Sequence, residues 1–107
     1  MQGVTSYYFR SQFKQMMDDI KTGNFEKLDV MHHILSGFKA YYTAEAMIGA
    51  EKCRRSAGGA GYASFSGFTE ILVHLSPTVT YEGENTVMML QSSRYIFKLA
   101  KKAAKGQ

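Results

Sequence analysis

Apolar positions between Val4 and Lys21 recur at the spacing of one helical face. Phe9, Phe13, Met16, Met17 and Ile20 share it, while Arg10, Lys14, Asp18 and Asp19 largely take the other side. Gly23 is a natural stop and Asn24 a natural N-cap for a second helix. That helix, over Phe25 to Arg55, should be the longest. Leu28, Met31, Leu35, Phe38 and Tyr42 repeat at alternating steps of three and four, and Val30, Ile34, Tyr41 and Ile48 widen the stripe. Gly37 and Gly49 each cost this helix about 1 kcal/mol against alanine and would let another helix or a ligand come close. Phe68, Ile71, Leu72 and Leu75 predict a short helix over 68–75, closed by Ser76-Pro77. A last helix runs from Glu84 to Ala104. Its start, Val87 to Leu90, is apolar on all sides and should be buried, and its end is amphipathic and basic. The pattern breaks in two places. Ser56 to Gly67 carries glycine at 58, 59, 61 and 67 and reads as loop, while Val79, Tyr81 and their neighbours read as extended. The expected fold is therefore all-α, three substantial helices and one short one in an up-and-down bundle, with 1–107 as a single helical domain.

Composition supports this picture. The chain has 107 residues, 45% of them hydrophobic, and a single proline, which favours long helices in one modest core. One cysteine, Cys53, excludes an intrachain disulfide, and no run of about 18 apolar residues predicts a membrane span. The first ten residues lack the basic start and apolar core of a signal peptide. The net charge is +4, with Lys98, Lys101, Lys102 and Lys105 concentrated near the end. A lysine-rich helix end reads as a solvated face that complements the dipole, and no recognised nucleic-acid motif accompanies it.

Few residues invite chemistry. His32 and His33 are adjacent, so on a helix they point about 100° apart and cannot chelate as an i, i+4 pair does; no metal site is expected. Cys53 lies near a helix C-terminus, the wrong end for activating a thiol, and reads as a buried or half-buried structural residue. The glycines of 58–61 follow a helix rather than a strand. They are not a dinucleotide fingerprint, and a helix C-cap with a turn explains them on composition alone. Glu82 stands where the connector becomes a helix, beside flexible Gly83. The helix N-terminus would favour its charge, and burial under apolar neighbours would oppose it. That tension suits a general base in a dry cleft, although Glu82 and Glu84 would equally serve to complement the helix dipole.

The run Thr80-Tyr81-Glu82-Gly83-Glu84-Asn85-Thr86-Val87 closely resembles the signature of acyl-CoA oxidases near their catalytic glutamate. Ser56-Ala57-Gly58-Gly59-Ala60-Gly61-Tyr62 resembles the Gly-Gly-x-Gly-Tyr run of the same family, which commonly has histidine or another polar residue at the position of Ala60. Leu28 to His33 with Ser36 to Ala40, and Met88 to Gln91 with Ser93 to Tyr95, add two further markers in order. The resemblance covers about Leu28 to Lys98.

This resemblance implies the C-terminal helical domain of the acyl-CoA dehydrogenase and oxidase superfamily. It further implies FAD as cofactor, acyl-CoA as substrate oxidised to the trans-2-enoyl thioester, and molecular oxygen reduced to hydrogen peroxide. Glu82 matches the base, and its N–H would help polarise the thioester carbonyl. Gly58, Gly59 and Gly61, together with Asn85 and Thr86, match contacts to FAD. Gly83 lets the turn reach the substrate, and Tyr81 would pack near the acyl chain or flavin. A homodimer is expected because the apolar helix faces and the Val87 to Leu90 run call for partners that this chain does not supply; a peroxisomal setting is implied by the family alone, since the chain's end is not a Ser-Lys-Leu-type address. Nothing in the chain resembles the family's N-terminal helical and β domains, so the chain reads as a piece of a larger enzyme, inactive by itself. Two alternatives stay open. One is a non-catalytic helical or subunit-interface module, including a degenerate paralogue. The other is an acyl-CoA dehydrogenase passing electrons to a carrier, against which Glu84-Asn85-Thr86 looks more oxidase-like.

Overall fold

The computed structural model describes residues 2–106, without the side chains of Gln2 and Glu26. The single-domain expectation over 1–107 therefore includes two residues, Met1 and Gln107, outside the described residues. Five α-helices follow in order: α1 (Gln2–Lys21), α2 (Glu26–Ser56), α3 (Gly58–Tyr62), α4 (Phe68–Leu75) and α5 (Asn85–Ala104). Short 3-10 turns cover Ser64–Ser66 and Ser76–Val79. The all-α expectation holds, with no strand among the described residues.

α2 is the axis on which the other helices lie. Along it, Asp29 meets Lys98, His33 meets Ser92 and Tyr95, Lys39 meets Asn85, and Ala40 and Thr43 also meet Asn85. Partner numbers fall as α2 numbers rise, so α5 runs antiparallel to it. Gly37 lets the two backbones approach, since a Cβ there would come within 3.3 Å of Ser92 Oγ. α1 is also antiparallel to α2, held by Phe9 against Phe38 at 5.0 Å in edge contact and by the Lys27–Asp19 ion pair at 2.9 Å.

The α1–α2 corner follows the expected stop at Gly23. Gly23 adopts φ +84°, its N–H reaches Ile20 O, and Asn24 N–H reaches Asp19 O, a Schellman closure. The N-cap of α2 is Phe25 rather than Asn24, and the Phe25 side chain offers no cap. The Schellman bonds set the chain's direction one residue later than the cap preference suggested.

The fold is elongated, 58 × 30 × 23 Å, with a radius of gyration of 18.6 Å, where a compact chain of this length would give about 13 Å. Its core is correspondingly thin. Met16, Met31 and Ala40 are buried, as is Ser36, whose hydroxyl donates to His32 O at 2.6 Å. Much of the apolar stripe read from the sequence is half-exposed, including Leu28, Leu35 and Tyr42. The expected burial of Val87 to Leu90 does not occur within this chain: Val87, Met89 and Leu90 are about half-exposed. Helical periodicity marks these faces correctly, and the described residues supply nothing to cover them. Cys53 is likewise exposed rather than buried.

Candidate functional site

The Glu82 segment is built by the exit from α4. The expected stop at Ser76-Pro77 is only partial. The α-helix ends at Leu75, but the chain keeps turning as a 3-10 helix through Val79, and Thr80 and Tyr81 both donate to Pro77 O at 2.9 Å. The extended reading of Val79 and Tyr81 is thereby corrected. Proline's fixed φ suits the first turn of a helix, and a single tight turn leaves no period by which sequence could reveal it.

Glu82 then enters the left-handed region at φ +54°, the one non-glycine residue to do so among those described, and Gly83 follows at φ +102°. A left-handed non-glycine residue costs about 1–2 kcal/mol, so surrounding contacts must hold it. A side chain at Gly83 would have to displace Met88. A Cβ would meet Met88 Cε at 2.5 Å, in addition to the strain of its φ. Glu84 is the N-cap of α5. Its carboxylate accepts from Thr86 N–H at 2.7 Å, from Val87 N–H at 3.2 Å and from the Thr86 hydroxyl at 3.2 Å. Of the two glutamates, then, Glu84 complements the helix start. Glu82 is exposed, and among the described residues no hydrogen bond or ion pair engages its carboxylate. The apolar cover expected over Glu82 is not supplied by this chain. Tyr81 beside it is about half-exposed.

Asn85 is held by α2. Its Nδ2 donates to Ala40 O at 3.0 Å and to Thr43 Oγ at 2.9 Å, and its Oδ1 accepts from Lys39 Nζ at 2.8 Å. Lys39 Nζ also donates to Gly83 O at 2.5 Å. These bonds commit Asn85's side-chain amide within the chain. Neither Lys39 nor Thr43 stands out in the sequence as a site residue. The signal was present: an i, i+4 polar pair flanking small Ala40 inside an otherwise apolar stripe.

The glycine run lies elsewhere. α2 ends at Ser56, Ala57 forms the cap, and Gly58 adopts φ +62°, the left-handed residue that closes many helices. Instead of loop, residues 58–62 form the single-turn helix α3. Gly61 is buried against α2, and a Cβ there would lie 2.1 Å from Arg54 O. Gly58 and Gly59 face open space, and Gly59 has no left-handed φ to explain it. Nothing among the described residues requires glycine at 59, which leaves room for a close approach from outside. The run and the Glu82 turn are not brought together. From Tyr41 to Ala57 along α2 is about 24 Å at ~1.5 Å per residue.

The two histidines diverge as expected. His32 is exposed, whereas His33 Nδ1 lies 2.8 Å from Ser92 Oγ and 3.0 Å from Ser92 O, its ring stacked on Tyr95. Among the described residues, no group of three His, Cys, Asp or Glu is arranged to hold a metal ion, and no helix is long and apolar enough to cross a membrane.

Comparison with known proteins bears on the fold and the family. The family model described as "Acyl-CoA oxidase, C-alpha1 domain" matches residues 2–97. The chain belongs to the acyl-CoA oxidase C-alpha1 domain family. Among similar proteins, peroxisomal acyl-coenzyme A oxidase 1 of Mus musculus is 37% identical over 100 residues, covering 94% of this chain and 15% of the relative. The Homo sapiens protein of that name is 38% identical over 91 residues, covering 85% and 14%. The solved structure of Arabidopsis thaliana acyl-CoA oxidase 1 superposes with a TM-score of 0.86 at 30% identity, over 92% of this chain and 15% of that one. The chain thus spans about one seventh of the length of the relatives it matches.

Proposed function

We propose that this chain is the part of a flavin-dependent acyl-CoA oxidase that carries the catalytic base, and that the base is Glu82. The observation that carries the reading is the turn itself: a left-handed glutamate, held by neighbouring bonds, presenting a carboxylate that the described residues leave unpaired. Backbone strain of this kind clusters at working sites. The family membership and the names of the relatives support the same reading.

In this reading, acyl-CoA lies against the turn. The Glu82 carboxylate takes the α-proton, and its N–H donates to the thioester carbonyl oxygen, where negative charge develops. Gly83 keeps the approach free of a side chain, and Tyr81 borders the acyl chain or the flavin. Bound FAD would supply the acceptor for the β-hydride, with molecular oxygen as final oxidant, yielding trans-2-enoyl-CoA and hydrogen peroxide. Gly58 and Gly59 with Asn85 and Thr86 are the proposed FAD contacts, with Gly61 buried behind them against α2 and shaping the turn. Their separation suits the two ends of an extended dinucleotide, or two copies of the chain each giving one end. A homodimer, further helical and β domains in the same chain, and a peroxisomal setting complete the proposal. The half-exposed Val87, Met89 and Leu90 are the apolar surface those domains would cover.

The test is Glu82→Gln in an acyl-CoA oxidase of full length carrying this segment, read by anaerobic stopped-flow bleaching of the flavin by an acyl-CoA. Flavin and acyl-CoA binding should survive, and reduction should slow by about three orders of magnitude, the scale of an essential base. Glu84→Gln should weaken the α5 cap by about 1 kcal/mol and leave reduction nearly intact. Reduction at near the parent rate in Glu82→Gln would move the base elsewhere. Parent turnover without peroxide would assign the segment to a dehydrogenase, and a parent that never bleaches would assign it to a non-catalytic module.

A further inference from the structure

Lys39 presents a problem that α2 alone does not solve. It is half-buried on the face toward α5, and its ammonium donates to two neutral oxygens, Gly83 O at 2.5 Å and Asn85 Oδ1 at 2.8 Å. None of the ion pairs among the described residues includes it. It also stands beside the N-terminus of α5, where the helix dipole disfavours a cation. Helix stability therefore does not account for a lysine here.

What the lysine does reach is the turn. Gly83 O belongs to the second of two consecutive left-handed residues, directly after Glu82. Across the α2–α5 seam, Thr43 and Ala40 reach only the Asn85 side chain, whereas Lys39 bonds both that side chain and the backbone of the turn. Charge-assisted bonds are short and strong relative to neutral ones, so one ammonium fixes the Gly83 peptide plane relative to α2. Fixing that plane limits the conformations open to Glu82.

We infer that Lys39 is a positioning residue for the base: its ammonium clamps the Gly83 carbonyl and so holds the Glu82 carboxylate and N–H in their working direction. The inference rests on Glu82 being the base. It assigns Lys39 no contact with substrate or flavin.

The experiment uses the full-length oxidase with its flavin, comparing Lys39→Met, Lys39→Arg and Glu82→Gln. Lys39→Met should slow anaerobic flavin reduction by about 10- to 100-fold, the scale of a small misplacement of a catalytic group. The acyl-CoA concentration at half-maximal rate should move much less, and flavin should be retained. Lys39→Arg, which can still donate to both oxygens, should recover most of the rate. If Lys39→Met does not fold, Lys39→Gln takes its place with the same expected signs. Parent-rate reduction in Lys39→Met, or a Lys39→Arg that is no faster than Lys39→Met, would overturn the inference and leave Lys39 a packing residue. Glu82→Gln separates the two failures: a slow Glu82→Gln with a fast Lys39→Met rejects only the clamp, while a fast Glu82→Gln rejects the base itself.

Discussion

The two turns that carry the family's motifs are built on opposite plans. The Glu82 turn is held from within. Lys39, Ala40 and Thr43 of α2 bind Gly83 and Asn85, Glu84 caps α5, and Met88 fills the space a side chain at 83 would need. The glycine turn is held at its inner side, where Gly61 packs so closely on α2 that a Cβ would strike Arg54 O and Ser66 Oγ donates to Gly61 O, while Gly58 and Gly59 face open space. Gly61 is required by its own chain and reports on folding; Gly59, required by neither φ nor packing, leaves room for an approach from outside. Glycine content alone is the same signal in both places, and only packing separates the two cases.

The largest effect expected from this contrast is at Gly61. A Cβ 2.1 Å from a backbone oxygen cannot be accommodated by rotating a side chain. Gly61→Ala should therefore cost about 1–3 kcal/mol or more, as overpacking does. Gly59→Ala, in the same short helix, meets nothing within 4 Å and should leave stability unchanged or raise it by up to about 1 kcal/mol through helix propensity. If flavin approaches this turn, a bulkier Gly59→Val should lower flavin retention while the thermal midpoint of the apoprotein stays put. Thermal melts and flavin absorbance of the full-length variants check both. Equal loss of fold and flavin in Gly59→Val would erase the distinction between the turns.

A smaller effect is expected at Gly83, where two causes overlap. The φ of +102° disfavours alanine, and the Met88 thioether stands in the way. Methionine is flexible and can move aside, so the backbone should dominate, at about 1–2 kcal/mol for Gly83→Ala. A double-mutant cycle with Met88→Ala tests the partition. Full rescue by Met88→Ala would make the contact, rather than the left-handed backbone, the reason for glycine here.

The same contrast explains what sequence could and could not reveal. The helices were legible because a 3.6-residue period over many turns outweighs single misfits: the pattern over 25–55 matches α2 at Glu26–Ser56, and that over 68–75 matches α4. Short structure was not legible. A single 3-10 turn after Pro77 and a five-residue helix in a glycine run have too few positions to show a period. The core was legible only as a face. Leu28, Leu35 and Leu90 lie on apolar stripes, but burial needs a partner, and no periodicity says whether the partner is in the same chain. Of the site, Glu82 and its glycine were visible as a motif, and the left-handed φ was not, because glutamate carries no preference for it. Lys39 was visible as a residue but not as a clamp, since the contact spans 44 positions that only the antiparallel α2–α5 register brings together.

The smallest effect concerns the far end of that register, where α2 and α5 are joined on the surface rather than through the turn. Lys98 Nζ donates to Asp29 Oδ2 at 2.5 Å, and this hydrogen bond, reinforced by the lysine's charge, holds the Asp29 carboxyl below its ordinary value of 3.8. The same bond raises the Lys98 ammonium above its ordinary 10.5. A carboxyl lowered in the folded chain stabilises it above the unfolded value, and that contribution disappears as pH falls through the lowered value. A lysine raised in the folded chain stabilises it below its unfolded value and loses that contribution as pH rises through the raised one. The pair should therefore be fully present from about pH 5 to pH 9, fading below roughly 4 and above roughly 10. Both groups are more than half exposed, so water and salt screen them. Asp29→Asn should lower the thermal midpoint only slightly at pH 7, with the difference from the parent shrinking toward pH 3 and in high salt. An equal difference at pH 3 and pH 7 would mean that Asp29 acts through packing, and that charge adds nothing to the α2–α5 seam beyond the Lys39 clamp at its other end.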